Sequence, residues 1–243
     1  MKRLFIEGPL GDNTAHTLDA DDAHYLGRVL RARVGDSLTV FDRDGKTGEA
    51  RIAQLARRHA ELEIGTLTVV DDRSPVRTTL LQALSRSNKI DWVIQKAVEL
   101  GVDEIRPVAT ERSAMRVDEL RADHKLAHWR KIAIGACQQC GRVRLPEIHS
   151  PETLDLSLQH TIADVRLVAS PVATVPLRER LQTPAAASVA LLVGPEGGLS
   201  EDEIRQCDAA GWQPVRAGRR VLRTETAAIS LLSIVQYAWG DLT

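Results

Sequence analysis

The stretch Leu191-Leu192-Val193-Gly194-Pro195-Glu196-Gly197-Gly198-Leu199-Ser200 decides the fold class of this chain. It reads as a buried strand over 188–193, a glycine-rich turn, and a helix opened by the capping box Ser200-Glu201-Asp202-Glu203. The helix closes at Gly211. Strand, tight turn and capped helix together form the repeating unit of an α/β domain, and such a turn lets backbone N–H groups approach a small ligand closely. A plain strand-to-helix connection is the competing reading. The spacing is not Gly-x-Gly-x-x-Gly and contains no Gly-Lys-Ser/Thr, so it is neither a dinucleotide fingerprint nor a phosphate-binding loop. No Gly-x-Ser-x-Gly elbow occurs, which leaves hydrolase chemistry without a nucleophile.

Moving outward, the same alternation fills residues 75–243. An apolar run over 79–84 precedes a helix over 89–100 closed by Gly101, and a strand over 105–109 follows. A long helix over 120–137, a strand over 166–169 and a short helix near 177–181 lead back to the opening stretch. Strands alternating with helices predict a mainly parallel sheet. The last helix, 226–239, is apolar nearly all round and needs cover, from its own domain or from a second copy. At its start, Val221-Leu222-Arg223-Thr224-Glu225-Thr226-Ala227-Ala228 puts charge and hydroxyls where a buried helix begins. Thr224 or Thr226 as a cap explains that, with Glu225 at the positive helix end. Two such entries to C-terminal helices in one domain also suit a shared site.

Residues 1–70 read differently, as a small β-rich unit with strands at 4–6, 38–41, 49–55 and 60–64 and a hairpin turn at Asp42-Arg43-Asp44-Gly45. Asp19 caps a helix over 21–30 that carries Arg28, with Arg31 just beyond it. About 70 residues make a marginal core, so the unit is expected to lean on the rest. Val70-Asp71-Asp72-Arg73-Ser74-Pro75 has a linker's composition and sets the boundary.

The 43% apolar share, about 49% with the 16 glycines counted in place of the two tyrosines, sits in the globular range of about 45 to 50% and excludes a disordered or fibrous chain. No apolar run approaches the roughly 20 residues of a membrane helix, and Glu7 comes too early for a signal peptide, so a cytoplasmic protein is expected. Net charge is −1, but the segments 121–150 and 205–223 are each +4, and arginine outnumbers lysine 26 to 6. Arginine's planar fork suits phosphate, although solvated faces account for such charge equally well. Eight aromatic residues are too few for a surface that binds single strands mainly by stacking. Cys137-Gln138-Gln139-Cys140 resembles half a zinc site, yet the remaining cysteine is Cys207, and His124 and His128 lie nine or more residues upstream. No metal is expected.

Four stretches carry a family resemblance: His24-Tyr25-Leu26-Gly27-Arg28-Val29-Leu30-Arg31, Ile94-Gln95-Lys96-Ala97-Val98-Glu99-Leu100-Gly101, Gly194 to Leu199, and Leu222 to Ala228. Ala136 to Arg142 adds a fifth, although the family often carries Glu where Gln138 stands. The chain resembles the bacterial 16S ribosomal RNA uridine N3-methyltransferases of the SPOUT class, which use S-adenosyl-L-methionine. That resemblance implies a PUA-like RNA-binding β-barrel over 1–70 and an α/β SPOUT domain with a trefoil knot over 75–243, assembled as a homodimer. It implies cofactor contacts at Ala169, Ser170, Val193, Gly194, Pro195, Glu196, Gly197, Gly198, Leu222, Arg223, Thr224, Thr226 and Ala227. Arg223 is the candidate for stabilising negative charge on the uracil, and Glu225 or Glu196 for taking its proton. Arg28, Arg31, Lys131, Arg142 and Arg144 are the candidates for contacting 16S ribosomal RNA or the small ribosomal subunit. A SPOUT enzyme acting on transfer RNA or a ribose 2′-hydroxyl, or a non-catalytic ribosome-assembly factor, are the alternatives.

Overall fold

A computed structural model of the chain describes residues 2–85, 89–114, 122–182 and 185–242. Internal contacts divide it into two units, Met1–Asp72 with Cys137–Leu145, and Arg73–Ala136 with Pro146–Thr243.

The first unit is a five-stranded sheet in the order β1-β3-β4-β5-β2, from β1 (Arg3–Phe5), β2 (Ala15–Leu18), β3 (Ser37–Phe41), β4 (Lys46–Leu55) and β5 (Ala60–Val69). Strand β1 pairs parallel with β3, and the other pairs are antiparallel. Alternation drives it: Ala50 and Ile52 of β4 and Ala60, Leu62 and Ile64 of β5 point into one core, with Glu49, Arg51 and Glu63 outside. The β3–β4 turn is held by Asp42, whose carboxylate accepts from the N–H groups of Asp44 (2.9 Å), Lys46 (3.0 Å) and Leu10 (3.2 Å). Strand β2 went unpredicted because only Leu18 of its four residues is buried.

The predicted helix over 21–30 is in fact two structures. Helix α1 (Ala20–His24) starts under the Asp19 cap, which accepts from Asp22 N at 2.9 Å, and passes into a π-helical turn over Tyr25–Val29. The Leu30 N–H donates to Tyr25 O, five residues back, at 3.0 Å, and Leu26 sits fully inside the core. Arg31 follows with φ 48, ending the helical path.

Residues 137–145 complete this unit, which spacing along the chain gave no way to see. Gln138, buried, accepts from Phe5 N at 3.1 Å through Oε1. Arg3 donates to Arg142 O at 3.3 Å, and Val143 N donates to Asp72 at 2.6 Å. Burial pushes the Cys137 thiol up to about 12, while Cys140 is exposed. A thiol so reluctant to ionise is a poor nucleophile or ligand.

The second unit holds a seven-stranded sheet ordered β12-β10-β11-β6-β7-β8, with β9 added beside β7, all pairings being parallel. Its strands are β6 (Arg77–Ala83), β7 (Glu104–Ala109), β8 (Glu147–Ile148), β9 (Glu152–Thr153), β10 (Val165–Ala169), β11 (Ser188–Val193) and β12 (Gln213–Val215). Its helices are α2 (Lys89–Glu99), α3 (Ala122–Cys140, whose residues from Cys137 on belong to the first unit), α4 (Leu154–His160), α5 (Leu177–Arg180), α6 (Glu201–Ala209) and α7 (Thr224–Trp239). Parallel strands bury both faces, which is why β11 reads as a nearly continuous apolar run, while β6 buries Thr78, Thr79 and Gln82 along with its leucines. Elements β8, β9, β12 and α4 are too short for a periodic signal and were not predicted. Leu120 and Arg121, where the α3 helix was expected to begin, lie outside the described residues.

Helix α7 packs on β6, β11 and α2 through one face, with Ala228, Leu231, Leu232, Val235 and Trp239 buried. Ile229 and Ile234 are half-buried and Tyr237 is exposed, so the chain itself covers the helix on one side only. Among the described residues no helix is long and apolar enough to cross a membrane.

Candidate active site

Three chain segments leave the carboxyl ends of neighbouring strands and wall one cavity of about 630 Å³: 169–172 after β10, 193–199 after β11, and 214–224 between β12 and α7. This edge of a parallel sheet is where α/β folds place ligands, and the volume suits a small molecule. Since the segments are irregular, most of their peptide groups belong to no helix or sheet ladder.

The central turn is built as its sequence requires. A Cβ on Gly194 would lie 3.3 Å from the backbone nitrogen of Leu199, and Gly198 adopts φ 70, which disfavours side chains. Gly198 N donates to Pro195 O at 2.9 Å to close the turn. The capping box is present: Ser200 Oγ accepts from Glu203 N at 3.3 Å, and Glu203 accepts from Ser200 N at 2.8 Å. Glu203 also accepts from Glu111 N at 2.7 Å, and Arg112 donates to Gly197 O at 2.9 Å, so the segment following β7 braces the turn from outside.

Thr224 is not a cap. Arg223 occupies the capping position with extended backbone and no side-chain hydrogen bond, and Thr224 begins the helix. Its hydroxyl donates to Gly194 O at 2.7 Å and accepts from Gln82 Nε2 at 2.9 Å. Both side chains are buried, so a polar relay ties the end of β6, the turn after β11 and the start of α7 together. Thr226, the other capping candidate, is exposed and does not line the cavity.

Lys89, at the first residue of α2, reaches two carboxylates. Its Nζ lies 3.0 Å from Glu196 Oε1 and 3.6 Å from Glu225 Oε2. The hydrogen bond with Glu196, helped by the charge of both glutamates, pushes its pKa up. Lys89 and Glu196 line the cavity, whereas Glu225 does not.

The cavity thus collects Ala169, Ser170, Val193, Gly194, Pro195, Glu196, Gly197, Gly198, Leu222, Arg223, Thr224 and Ala227 from the sequence-derived set. It also takes in Lys89, Val172, Ile204, Arg216, Arg220, Val221 and Leu231, which that set missed. The +4 charge of 205–223 was the available signal for the two arginines; nothing local marks Lys89. Of the candidate RNA contacts, Arg28 and Arg31 are exposed at the end of the π-helical turn. Arg142 and Arg144 belong to the same unit, Arg144 lying 3.8 Å from Asp71, whereas Lys131 sits on α3 in the second unit. Among the described residues no cluster of His, Cys, Asp or Glu fits a metal ion.

Residues 72–236 match the family model described as RNA methyltransferase domain, and residues 18–65 match RNA methyltransferase PUA domain. A relative from Buchnera aphidicola subsp. Schizaphis graminum, called ribosomal RNA small subunit methyltransferase E, is 33% identical and spans 99% of this chain and 98% of its own length. Two solved structures are similar throughout. A ribosomal RNA small subunit methyltransferase E from Neisseria gonorrhoeae, bound to S-adenosyl methionine, has a TM-score of 0.90 at 35% identity and covers 100% of both chains. A Legionella pneumophila chain in complex with the bound cofactor SAM has a TM-score of 0.93 at 36% identity, covering 99% of this chain and 98% of its own.

Proposed function

The chain belongs to the RNA methyltransferase family of the small-subunit methyltransferase E type, and from that premise we propose that it methylates N3 of a uridine in 16S ribosomal RNA. The observation carrying this reading is the cavity formed by three strand-end segments of the methyltransferase domain. Its residues fit S-adenosyl-L-methionine: apolar Val193, Leu222 and Leu231 suit an adenine plane, glycines admit close approach, and Arg223 suits a carboxylate or developing anion. When bound there, the cofactor supplies an electrophilic methyl group on a sulfonium.

The remaining work belongs to the chain. Positioning dominates, because a methyl transfer needs nucleophile, methyl carbon and leaving sulfur in line. The Gln82–Thr224–Gly194 relay and the Arg112 brace hold the wall that orients the reactants. Arg223, exposed at the cavity, stabilises negative charge on the uracil as N3 loses its proton. Of the two glutamates, Glu196 is the better-supported proton acceptor, since it lines the cavity; Glu225 helps to hold Lys89.

This reading includes a PUA-like domain over 1–70 whose Arg28 and Arg31 grip RNA together with Arg142 and Arg144 of the 137–145 segment and Lys131, and a knotted methyltransferase domain over 75–243. It includes a cytoplasmic homodimer in which the outer face of α7, with Ile229, Ile234 and Tyr237, meets a second copy. Changing Arg28→Ala together with Arg31→Ala is expected to weaken RNA binding several-fold and leave cofactor affinity unchanged; equal RNA binding by that variant removes both from the surface.

The deciding experiment incubates the protein with methyl-labelled S-adenosylmethionine and unmodified small-subunit RNA or subunits, then digests to nucleosides. Label in N3-methyluridine supports the proposal. Label in a 2′-O-methyl nucleoside, or in transfer RNA alone, overturns the target, and absence of cofactor binding by calorimetry with RNA present overturns the methyltransferase reading of the cavity.

A further inference from the structure

We infer that Arg219 and Arg220, beside Arg223, form a phosphate clamp at the cavity mouth that holds the RNA strand flanking the target nucleotide. The inference rests on the RNA-methyltransferase reading above and adds a second RNA contact, on the catalytic domain itself.

Charge left unneutralised among the described residues points to this clamp. Arg216, Arg219, Arg220 and Arg223 lie on the segment joining β12 to α7, and Arg216, Arg220 and Arg223 line the cavity. Arg216 is spoken for, since it is half-buried and donates to Ala173 O at 3.2 Å. Arg219, Arg220 and Arg223 are exposed, and among the described residues their guanidinium groups have no hydrogen-bond or ion-pair partner. Among the described residues the cavity-lining carboxylate, Glu196, is already engaged by Lys89, which also reaches Glu225.

The cofactor cannot absorb this charge. S-adenosylmethionine carries no phosphate and a single carboxylate, so one cation satisfies its anionic demand. Two like charges on adjacent residues, 219 and 220, repel one another and are stable together when an anion with several acceptor oxygens lies between them. A nucleic-acid backbone supplies such anions in a row, at a spacing that successive side chains can follow. The surroundings agree with a single strand: Val221 and Val172, 78% and 82% exposed, line the same cavity and give an apolar edge for a nucleotide drawn out of its stack.

The test is RNA binding by wild type, Arg219→Ala, and Arg219→Ala with Arg220→Ala, measured against salt, with a cofactor titration on each sample. The RNA probe is a small-subunit ribosomal RNA fragment that the wild type binds. The double variant is expected to lose about tenfold or more in affinity at 0.1 M salt, with its log–log salt slope shallower by about 1 to 2, as expected for two lost phosphate contacts on a single strand. Arg219→Ala, outside the cavity wall, should show part of that loss with cofactor affinity kept. RNA affinity and salt slope equal to wild type in the double variant overturn the clamp and leave the methyltransferase reading standing. Parallel loss of cofactor and RNA binding in Arg219→Ala also overturns it, by assigning the arginines to the cofactor wall. Wild type that binds neither cofactor nor any ribosomal RNA overturns both proposals together.

Discussion

Along β7, β8 and β9 the charged side chains satisfy one another. Glu104 lies 2.6 Å from Arg106 Nε, 3.1 Å from Arg77 and 2.9 Å from His149, and Glu152 lies 3.0 Å from both Arg106 and His160. At the cavity mouth of the same sheet, Arg219, Arg220 and Arg223 point outward without partners among the described residues. Both clusters look alike in a charge count. Their difference separates charge spent on holding the fold from charge left over for a ligand, and each can be broken independently.

The largest effect is expected at the closed cluster. Burial raises the Glu104 pKa, but the close His149 ring and the charge and hydrogen bond of Arg106 outweigh it and bring it down from 4.5 to about 2. A carboxylate depressed in the folded state contributes stability that is complete above pH 4.5 and is lost as the pH falls toward 2. Glu104→Gln should therefore cost about 3 kcal/mol at pH 7, with the gap to wild type closing between pH 4.5 and 2. Denaturant melts across that range check this, and cofactor affinity at pH 7 should not move. If it does, the two clusters are not separate.

Next comes the cavity wall. Gly194→Val forces a side chain against the Leu199 backbone, and overpacking of this kind costs about 2 kcal/mol of stability, with cofactor affinity by calorimetry expected to fall alongside. Thr224→Val removes the hydroxyl that bridges Gln82 and Gly194, and the melting free energy should fall by about 1 to 2 kcal/mol with weaker cofactor binding alongside. Stability lost with cofactor affinity unchanged would move the relay to the closed side of the comparison. The smallest effect is expected at Lys89. Lys89→Met is expected to lower kcat several-fold with little change in KM for RNA, and Lys89→Arg to restore most of it, if the proposed mechanism depends on the cation that lies between Glu196 and Glu225.

Sequence alone determined the α/β class, the parallel order of its longer strands and the capped turn after β11, because each is a local pattern, whereas the residues expected at the cavity came through the family resemblance. Apolar runs of fixed length, glycine spacing and a Ser-x-x-Glu box act over a few residues and survive in any correct fold. Even the π-helical turn at Tyr25–Val29 escaped, since its hydrophobic pattern differs little from that of an α-helix. Tertiary structure decided the rest. Gln138 joins the N-terminal unit through Phe5, 133 residues away in sequence, and Lys89 meets Glu196 across 107 residues. Thr224 reads as a cap because its local context fits one, yet Gln82 and Gly194 claim its hydroxyl. Only tertiary structure separates the partnered charges of Glu104 and Arg106 from the open ones of Arg219 and Arg220. Whether a charge is satisfied depends on what the fold sets within about 4 Å of it, which no property of the residue itself contains.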